Sequence, residues 1–351
     1  MGETDPRLEP YDYRLPPELI ARHPPECRDG GRLLHSRDGQ WIDGVIPDIV
    51  SAFAPGDVLV VNDTRVLSAR MFGHRSTGGR VELLLLESGP GPILAMVRPS
   101  KKVRKGEIIA LQSREGGPTV HTACVGGSTS GGGRWIELSA EPLTVMAECG
   151  HVPLPPYINR TATTVDEARY QTVFADEPGA VAAPTASLHL TTELIDALKA
   201  RGVEVHRLTL HVGAGTFRNL RTEDLDSGML HRECYRIPEE TASAIMAAKR
   251  RGSTVTAVGT TVTRALETVA RRDGRVCPGA GETRLFIRPG FEFRVVDRLL
   301  TNFHLPRTSL LMLVCAFGGR GHVMAGYAAA IERGLRFYSY GDAMLLERGN
   351  Q

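Results

Sequence analysis

The sequence predicts an α/β protein in which a small β-barrel is inserted into a larger α/β unit. Its length of 351 residues exceeds the usual size of one domain and favours two structural units. Residues Ala69 to Gly150 are typical of short strands separated by glycine-rich or charged turns at regular spacing. On both sides of this segment, strands alternate with helices. We therefore expect a discontinuous α/β domain of residues 1–67 and 151–351 around an inserted barrel of residues 68–150.

The insert contains six predicted strands, in a pattern that indicates a small closed or nearly closed barrel. They are Ala69–Gly73, Arg80–Glu87, Ile93–Arg98, Glu107–Gln112, Thr119–Val125 and Arg134–Leu138. The surrounding unit contains strands and helices in alternation. They are strand Asp57–Asn62, helix Thr191–Ala200, strand Val203–His211, helix Pro238–Arg251 and strand Thr254–Val258.

The composition is that of a folded, enzyme-like protein, with 42% apolar and 23% charged residues. The formal net charge of +2 is too small to indicate a nucleic-acid partner, so an RNA site must be a local basic patch. Six scattered cysteines, without a CxxC pair or a histidine at zinc-ligand spacing, predict a reduced cytoplasmic protein with no metal site. The polar start and the short apolar run Leu310–Phe317 predict neither secretion nor a membrane anchor.

Two glycine-rich or small-residue segments indicate ligand binding. Pro178–Thr191 precedes a helix, where backbone amides can approach a ligand, although a tightly packed connector has the same composition. Leu210–Phe217 follows a strand, but Arg218 stands where a dinucleotide fingerprint has its third glycine. His211 is a candidate general base, while an isolated histidine at a strand end is also typical of a structural hydrogen bond.

Two further segments lie between a predicted strand or loop and a helix. Val258–Arg264 occupies the position where α/β proteins bind ligands outside the carboxyl ends of strands, and its threonines are also suited to cap the helix. Thr301–Pro306 is a polar and aromatic loop before an apolar helix that Thr308 or Ser309 caps. His304 in this loop is the second candidate for proton transfer.

A basic run lies inside the predicted barrel. Such a run suits a phosphate backbone, and it is also typical of a solvated turn. Its five cations are Arg98, Lys101, Lys102, Arg104 and Lys105. The sequence lacks a P-loop, an HExxH motif and a GxSxG elbow, so phosphoryl transfer through a Walker loop, zinc hydrolysis and α/β-hydrolase chemistry lose their usual signatures.

Taken together, these segments resemble the S-adenosylmethionine:tRNA ribosyltransferase-isomerase family of the queuosine pathway. The resemblance covers nearly the whole chain through ordered motifs. They are Asp12–Ile20, Pro55–Arg65, Arg98–Lys101, Pro153–Ile158, Tyr170–Phe174, Pro178–His189, Thr209–Phe217, Val258–Thr261, Leu300–Pro306 and Tyr338–Met344.

The resemblance implies a large α/β barrel-like domain with an inserted β-barrel. It also implies the reaction: C5′ of S-adenosylmethionine loses a proton, adenine and methionine leave, and the rearranged ribosyl unit joins 7-aminomethyl-7-deazaguanine in the tRNA anticodon to give epoxyqueuosine. S-adenosylmethionine is then a consumed substrate, and neither a cofactor nor a metal is implied. We expect a monomer.

The resemblance also implies roles for individual residues. His211 and His304 are the candidate base and acid, unassigned between them and expected to line one pocket with Pro178–His189, while Asp63 and Asp342 are candidates to orient an imidazole or bind ribose. Further candidate substrate-binding residues are Asn62, Arg65, Pro184, Thr185, Ser187, His189, Gly213, Gly215, Thr216, Phe217, Gly259, Thr260, Thr261 and Asn302. The five cations of the basic run are the candidate tRNA contacts.

The chain departs from the usual family pattern at Ser187, Leu190, Val262 and Thr263. A side chain at Ser187 is expected to take up ligand space. Two alternatives therefore stay open: a paralogue that uses a small-molecule acceptor, and a catalytically silent tRNA-binding module. Release of adenine from S-adenosylmethionine discriminates against the silent module.

Overall fold

A computed structural model describes residues 5–87, 89, 91–129, 131–213, 215 and 220–349. The strands are β1 Arg32–Arg37, β2 Gln40–Val45, β3 Val58–Asn62, β4 Thr64–Val66, β5 Arg70–His74, β6 Arg80–Leu85, β7 Ile93–Arg98, β8 Ile108–Gln112, β9 Pro118–Ser128, β10 Arg134–Leu138, β11 Gly150–His151, β12 Glu177–Ala180, β13 Glu204–Leu210, β14 Met229–Ile237, β15 Val255–Val258, β16 Gly279–Leu285, β17 Arg298–Asn302 and β18 Ala343–Glu347. The helices are α1 Pro142–Cys149, α2 Thr164–Arg169, α3 Thr192–Ala200, α4 Thr222–Ser227, α5 Glu239–Arg251, α6 Thr260–Asp273, α7 Ser309–Gly318 and α8 Arg320–Glu332.

The larger sheet has nine strands in the order β16-β14-β13-β3-β15-β17-β18-β1-β2. Its centre, β13-β3-β15-β17, is parallel. Every residue of β3 is buried, and alternate side chains of this strand belong to two different apolar clusters. Helices α5 and α6 pack in the first cluster and α3 in the second, so the central strands are covered on both faces.

The smaller sheet closes on itself. Its order is β11-β5-β6-β7-β10-β9-β8, and β5 also pairs with β8, so six of the strands form a barrel with its own apolar interior. At the closure, a Cβ on Gly73 would lie 2.5 Å from the carbonyl oxygen of Ala110, which explains the glycine there. The predicted fold class, α/β with an inserted small β-barrel, is confirmed.

One helix in the insert is absent from the sequence prediction. Helix α1 follows the barrel strands and buries Val145, Met146 and Cys149 in the barrel's apolar cluster. It begins after Glu141, whose side chain accepts a hydrogen bond from the Thr144 amide, and it has proline at its first position. The insert is therefore not purely strands and turns as the sequence indicated.

Among the described residues, no single helix is both long and apolar enough to cross a bilayer. Helices α7 and α8 meet that requirement only when they are taken together, and their axes are bent by 115° at the break.

A candidate active site at the carboxyl ends of the central strands

The four central parallel strands end side by side, and each continues into one of the segments singled out in the sequence. His211 follows β13, Thr260 begins the helix after β15, and Phe303 and His304 follow β17. Because the carboxyl ends of parallel strands meet at one edge of a sheet, residues distant in sequence surround one cavity there. Its volume is about 120 Å³, which is small for a binding site of a whole nucleoside.

Seven of the predicted site residues line this cavity. They are Pro184, Thr185, Gly259, Thr260, Thr261, Asn302 and His304. Thr216 and Phe217 lie outside the described residues. Metal ligation is not indicated, since no group of three or more His, Cys, Asp or Glu side chains is placed to hold an ion within the part of the chain that the structure describes.

His304 is held rigidly at the cavity wall. Its Nε2 is hydrogen-bonded to Thr301 Oγ1 at 2.9 Å, its backbone N–H donates to Tyr327 Oη, and Tyr13 Oη donates to its carbonyl. Burial lowers the pKa of His304 to about 3, so the imidazole is neutral at pH 7. His304 therefore presents a neutral, fixed hydrogen-bonding group at the cavity wall.

Asn302 connects the cavity to a second buried histidine. Its Oδ1 accepts a hydrogen bond from Thr185 Oγ1 at 2.9 Å, and its Nδ2 donates to His189 Nε2 at 3.0 Å. Burial, assisted by Arg336 and Arg28, lowers the pKa of His189 to about 4. His189 therefore lies behind the cavity wall and positions Asn302.

Asn62 joins two strand ends. Its Nδ2 donates to the Leu210 carbonyl and to Thr261 Oγ1, and its Oδ1 accepts from the amides of Thr64 and Leu210. Its side chain is fully buried and does not belong to the cavity wall. Asn62 thus fixes the position of Thr261, which does belong to the cavity wall.

His211 does not face the cavity with His304, contrary to the sequence expectation. Its neighbour Val212 lines the cavity, whereas the imidazole lies against Gly179 with Nδ1 hydrogen-bonded to Thr64 Oγ1 at 2.8 Å. Burial lowers the pKa of His211, with Glu177 and Asp63 opposing the shift. The side chain turned the other way because successive residues at a strand end point to opposite sides.

Among the described residues, neither predicted aspartate is hydrogen-bonded to an imidazole. Asp63 accepts from Thr209 Oγ1 at 2.7 Å, and burial raises its pKa while that bond lowers it. Asp342 accepts from the backbone amides of Arg32 and Arg336, at 2.8 Å and 2.7 Å, so its oxygens join the start of β1 to the loop at Arg336. Arg65 is half-exposed and faces Asp176. These three side chains lie outside the cavity wall.

The residues that depart from the family pattern also lie outside the cavity wall. Ser187, Leu190, Val262 and Thr263 are all fully buried, and Thr263 Oγ1 donates to the Gly259 carbonyl within its own helix. Ser187 itself does not line the cavity, although its neighbours Thr185 and Ala186 do, and its buried Oγ has no hydrogen-bond partner among the described residues.

Sequence reasoning missed a buried ion pair in the cavity wall. Arg264 Nη1 donates to Glu233 Oε2, and their side chains are 5% and 1% exposed. Burial opposes ionisation of Glu233, but Arg264 and His231 hold its pKa at about 2. The signal was present in the sequence: Glu233 falls in phase with the buried residues of β14, where an acid needs a partner.

An aromatic wall was also missed. Tyr157 and Tyr338 are stacked with ring centroids 4.2 Å apart, and both line the cavity. Tyr338 has a φ of 75°, a conformation that costs free energy for a non-glycine residue and is common at functional sites. Such a wall is suited to a planar base or an apolar ligand surface.

A larger cleft of about 810 Å³ lies between the barrel and the α/β unit, next to the cavity. The barrel contributes Arg98 and Met96, and β14 contributes Met229 and His231. His231 Nε2 lies 3.2 Å from Glu233 Oε1, so this contact joins the lining of the cleft to the lining of the cavity. Gly215 approaches His231 so closely that a Cβ there would lie 2.3 Å from the ring, and the Gly213 amide donates to Glu233 Oε1.

The remaining cations of the basic run are exposed on the turn between β7 and β8. Lys101, Lys102, Arg104 and Lys105 all face solvent, and the backbone amide of Arg104 donates to Glu107. Of the five cations, all of which are among the described residues, Arg98 alone lines the cleft.

The architecture and the segments around the cavity agree with known proteins over nearly the full chain. A family model described as queuosine biosynthesis protein matches residues 8–346. The chain belongs to this family. Relatives of the queuosine biosynthesis family include S-adenosylmethionine:tRNA ribosyltransferase-isomerase of Pelobacter propionicus, 48% identical over 97% of this chain and 99% of the relative. The protein of that name from Anaeromyxobacter dehalogenans is 47% identical over the same shares.

A solved structure of the family supports the fold. The crystal structure of S-adenosylmethionine tRNA ribosyltransferase from Thermotoga maritima is 35% identical and matches with a TM-score of 0.54, covering 96% of this chain and 99% of that one.

Proposed function

We propose that this queuosine-family protein is an enzyme that transfers and isomerises the ribosyl moiety of S-adenosylmethionine onto tRNA. The observation that carries the proposal is the likeness, over nearly the whole chain, to proteins named for that activity. The cavity at the strand ends adds to it, since it combines a neutral histidine, an aromatic wall and a charged pair beside a helix start.

The acceptor we propose is 7-aminomethyl-7-deazaguanine in the anticodon, and the product is epoxyqueuosine. The cleft between barrel and α/β unit supports an RNA acceptor, because its volume is about 810 Å³, its lining touches that of the cavity through His231 and Glu233, and Arg98 belongs to it. The departures that favoured a small-molecule acceptor are buried away from the cavity, so no observation favours that alternative.

The chemistry needs one group to accept the C5′ proton and one to assist the departing adenine. The sulfonium acidifies C5′–H, and His304, which lies at the cavity wall, is placed for one of these two contacts. His211 remains a candidate beside the same strand ends. S-adenosylmethionine is consumed, and we propose no cofactor.

We further propose a cytoplasmic monomer without a membrane partner. All six cysteines are free thiols, which is in keeping with a reducing compartment.

The test is to incubate the protein with S-adenosylmethionine and tRNA that carries the aminomethyl-deazaguanine, and to identify products by mass spectrometry. Adenine, methionine and a ribosyl-derived mass on the tRNA are expected. Methylated tRNA with S-adenosylhomocysteine would contradict the proposal, and bound but unmodified tRNA would indicate the silent module. Product release with a free deazapurine alone would indicate a small-molecule acceptor.

A further inference from the structure

The guanidinium of Arg264 has an unsatisfied hydrogen-bond donor at the cavity wall. Its Nε donates to the Leu285 carbonyl at 3.0 Å and its Nη1 to Glu233, but its buried Nη2 has no partner among the described residues. A buried cationic N–H without a partner costs free energy, because water no longer solvates it. This donor therefore indicates a place for an anionic group of a ligand.

The first turn of α6 lines the same cavity. This helix of fourteen residues begins after Gly259, which offers no side chain to cap it, and Thr260 and Thr261 lie in the wall. The first N–H groups of a helix have no acceptor within the helix, and the helix dipole favours an anion there. Arg264 belongs to the second turn of this helix, so both features favour negative charge in one place.

Glu233 decides which kind of anion suits the site. Its carboxylate also lies in the cavity wall, ionised and in contact with Arg264. A phosphate would carry two negative charges close to this carboxylate and would be repelled. An α-amino acid instead has a carboxylate and an ammonium one carbon apart, which matches a neighbouring cation and anion.

We propose that Arg264 Nη2 and the start of α6 bind the α-carboxylate of an amino-acid moiety, and that Glu233 faces its ammonium. The inference rests on the proposed function in one respect: the methionyl end of S-adenosylmethionine is the group of this class that the reaction supplies. The small volume of the cavity suits an amino-acid moiety better than a whole nucleoside.

For the reaction, such binding would orient the substrate. Binding the methionyl end fixes the sulfonium relative to the cavity wall, so that binding energy remote from C5′ positions the proton to be removed. When the C5′–S bond breaks, methionine keeps both of its charged groups in the same subsite until it leaves.

The decisive experiment compares two ligands on the unaltered protein by calorimetry, without RNA. Decarboxylated S-adenosylmethionine keeps the sulfonium and the amine and lacks the carboxylate. We expect it to bind about 10- to 100-fold more weakly than S-adenosylmethionine, as for loss of a hydrogen-bonded charged group. Equal affinity for the two ligands would overturn the proposal.

A variant pair assigns the discrimination to Arg264. Arg264→Lys keeps a cation beside Glu233 but removes the second guanidinium nitrogen, so the preference for the carboxylate should fall by about 10-fold or more. Arg298→Lys is the matched control, since Arg298 is also buried and two of its guanidinium nitrogens lack a hydrogen bond to the described residues, but it lies outside the cavity wall. An unchanged preference in Arg264→Lys, or an equal loss in Arg298→Lys, would overturn the assignment.

Failure of this inference and failure of the proposed function give different results. Calorimetry without RNA tests the subsite whether or not transfer occurs. Ribosyl transfer from both donors with equal affinity would leave the function standing and remove the subsite, whereas carboxylate-dependent binding without product would support the subsite and contradict the function.

Discussion

The cavity at the strand ends and the β-barrel use charge in opposite ways. At the cavity, Arg264 and Glu233 are almost completely buried and paired with each other, and burial keeps two histidines neutral, His304 in the wall and His189 behind it. In the barrel, apolar side chains fill the interior and cations such as Lys101 and Lys102 stay in solvent. Buried charge is costly and therefore fixes geometry, whereas exposed charge attracts a polyanion without fixing it.

The largest change in turnover rate is expected from His304→Gln. Glutamine can still bond to Thr301 but cannot take up a proton, so the turnover rate should fall by about 10²- to 10⁴-fold while S-adenosylmethionine binding is nearly retained. Adenine release, measured at saturating substrate, tests this. His322→Gln is the control, since His322 stacks on Trp41 away from the cavity and should leave turnover close to wild type. Comparable turnover in the two variants would contradict a role for His304 in proton transfer.

The second effect concerns stability. Glu233→Ala leaves Arg264 buried without its counter-ion and should lower the free energy of unfolding by about 3–5 kcal/mol. Glu282→Ala removes the exposed partner of Arg232 on the adjacent strand and should cost about 1 kcal/mol or less. Urea unfolding of both variants gives the comparison. Similar losses would show that burial does not distinguish the two ion pairs.

The third effect is a pH dependence of stability. His189 and His304 have folded-state pKa values of about 4 and about 3, below the unfolded value near 6.5, so the unfolded chain binds more protons below pH 6.5. Stability from their neutral state is therefore present above pH 6.5 and is lost as pH falls toward 4, by about 1.4 kcal/mol per pH unit for each imidazole.

Urea unfolding between pH 6.5 and 4.5 measures this slope. His304→Gln should flatten it, whereas His23→Gln, which changes an exposed histidine, should not. An unaltered slope in His304→Gln would mean that this imidazole does not resist protonation in the fold.

The smallest effect per residue is expected on tRNA binding, from the exposed cations of the barrel. Replacing Lys101, Lys102, Arg104 and Lys105 by glutamine should weaken tRNA binding and reduce the slope of log affinity against log salt, by roughly 0.7 to 0.9 for each lost phosphate contact. Stability should hardly change, because these side chains are exposed. The same change at Lys199 and Arg250, exposed on α3 and α5, is the control. A salt-dependence slope equal to that of the wild type would show that the basic run is a solvated turn without phosphate contacts.

Much of the fold could be predicted because local signals agreed with it. The six barrel strands follow the turn pattern, and Thr191 and Thr308 cap α3 and α7 through their hydroxyls. Helix α1 was missed because it has only eight residues and lies at the end of a strand-rich segment. Much of the candidate site was predictable by segment, since the segments at His211, Thr260 and His304 follow central strands, but not by side-chain direction, as His211 shows.

The sequence by itself determined which segments end strands, begin helices and form the barrel, because these depend on periodicity, capping and turn residues within a few positions of one another. The tertiary structure decided which polar groups meet. Strand β3 lies between β13 and β15, so Asn62 bonds to Leu210 and Thr261, and β14 brings Glu233 to Arg264. Such pairings join residues far apart in the chain, and their cost of burial is offset only when the whole sheet has assembled.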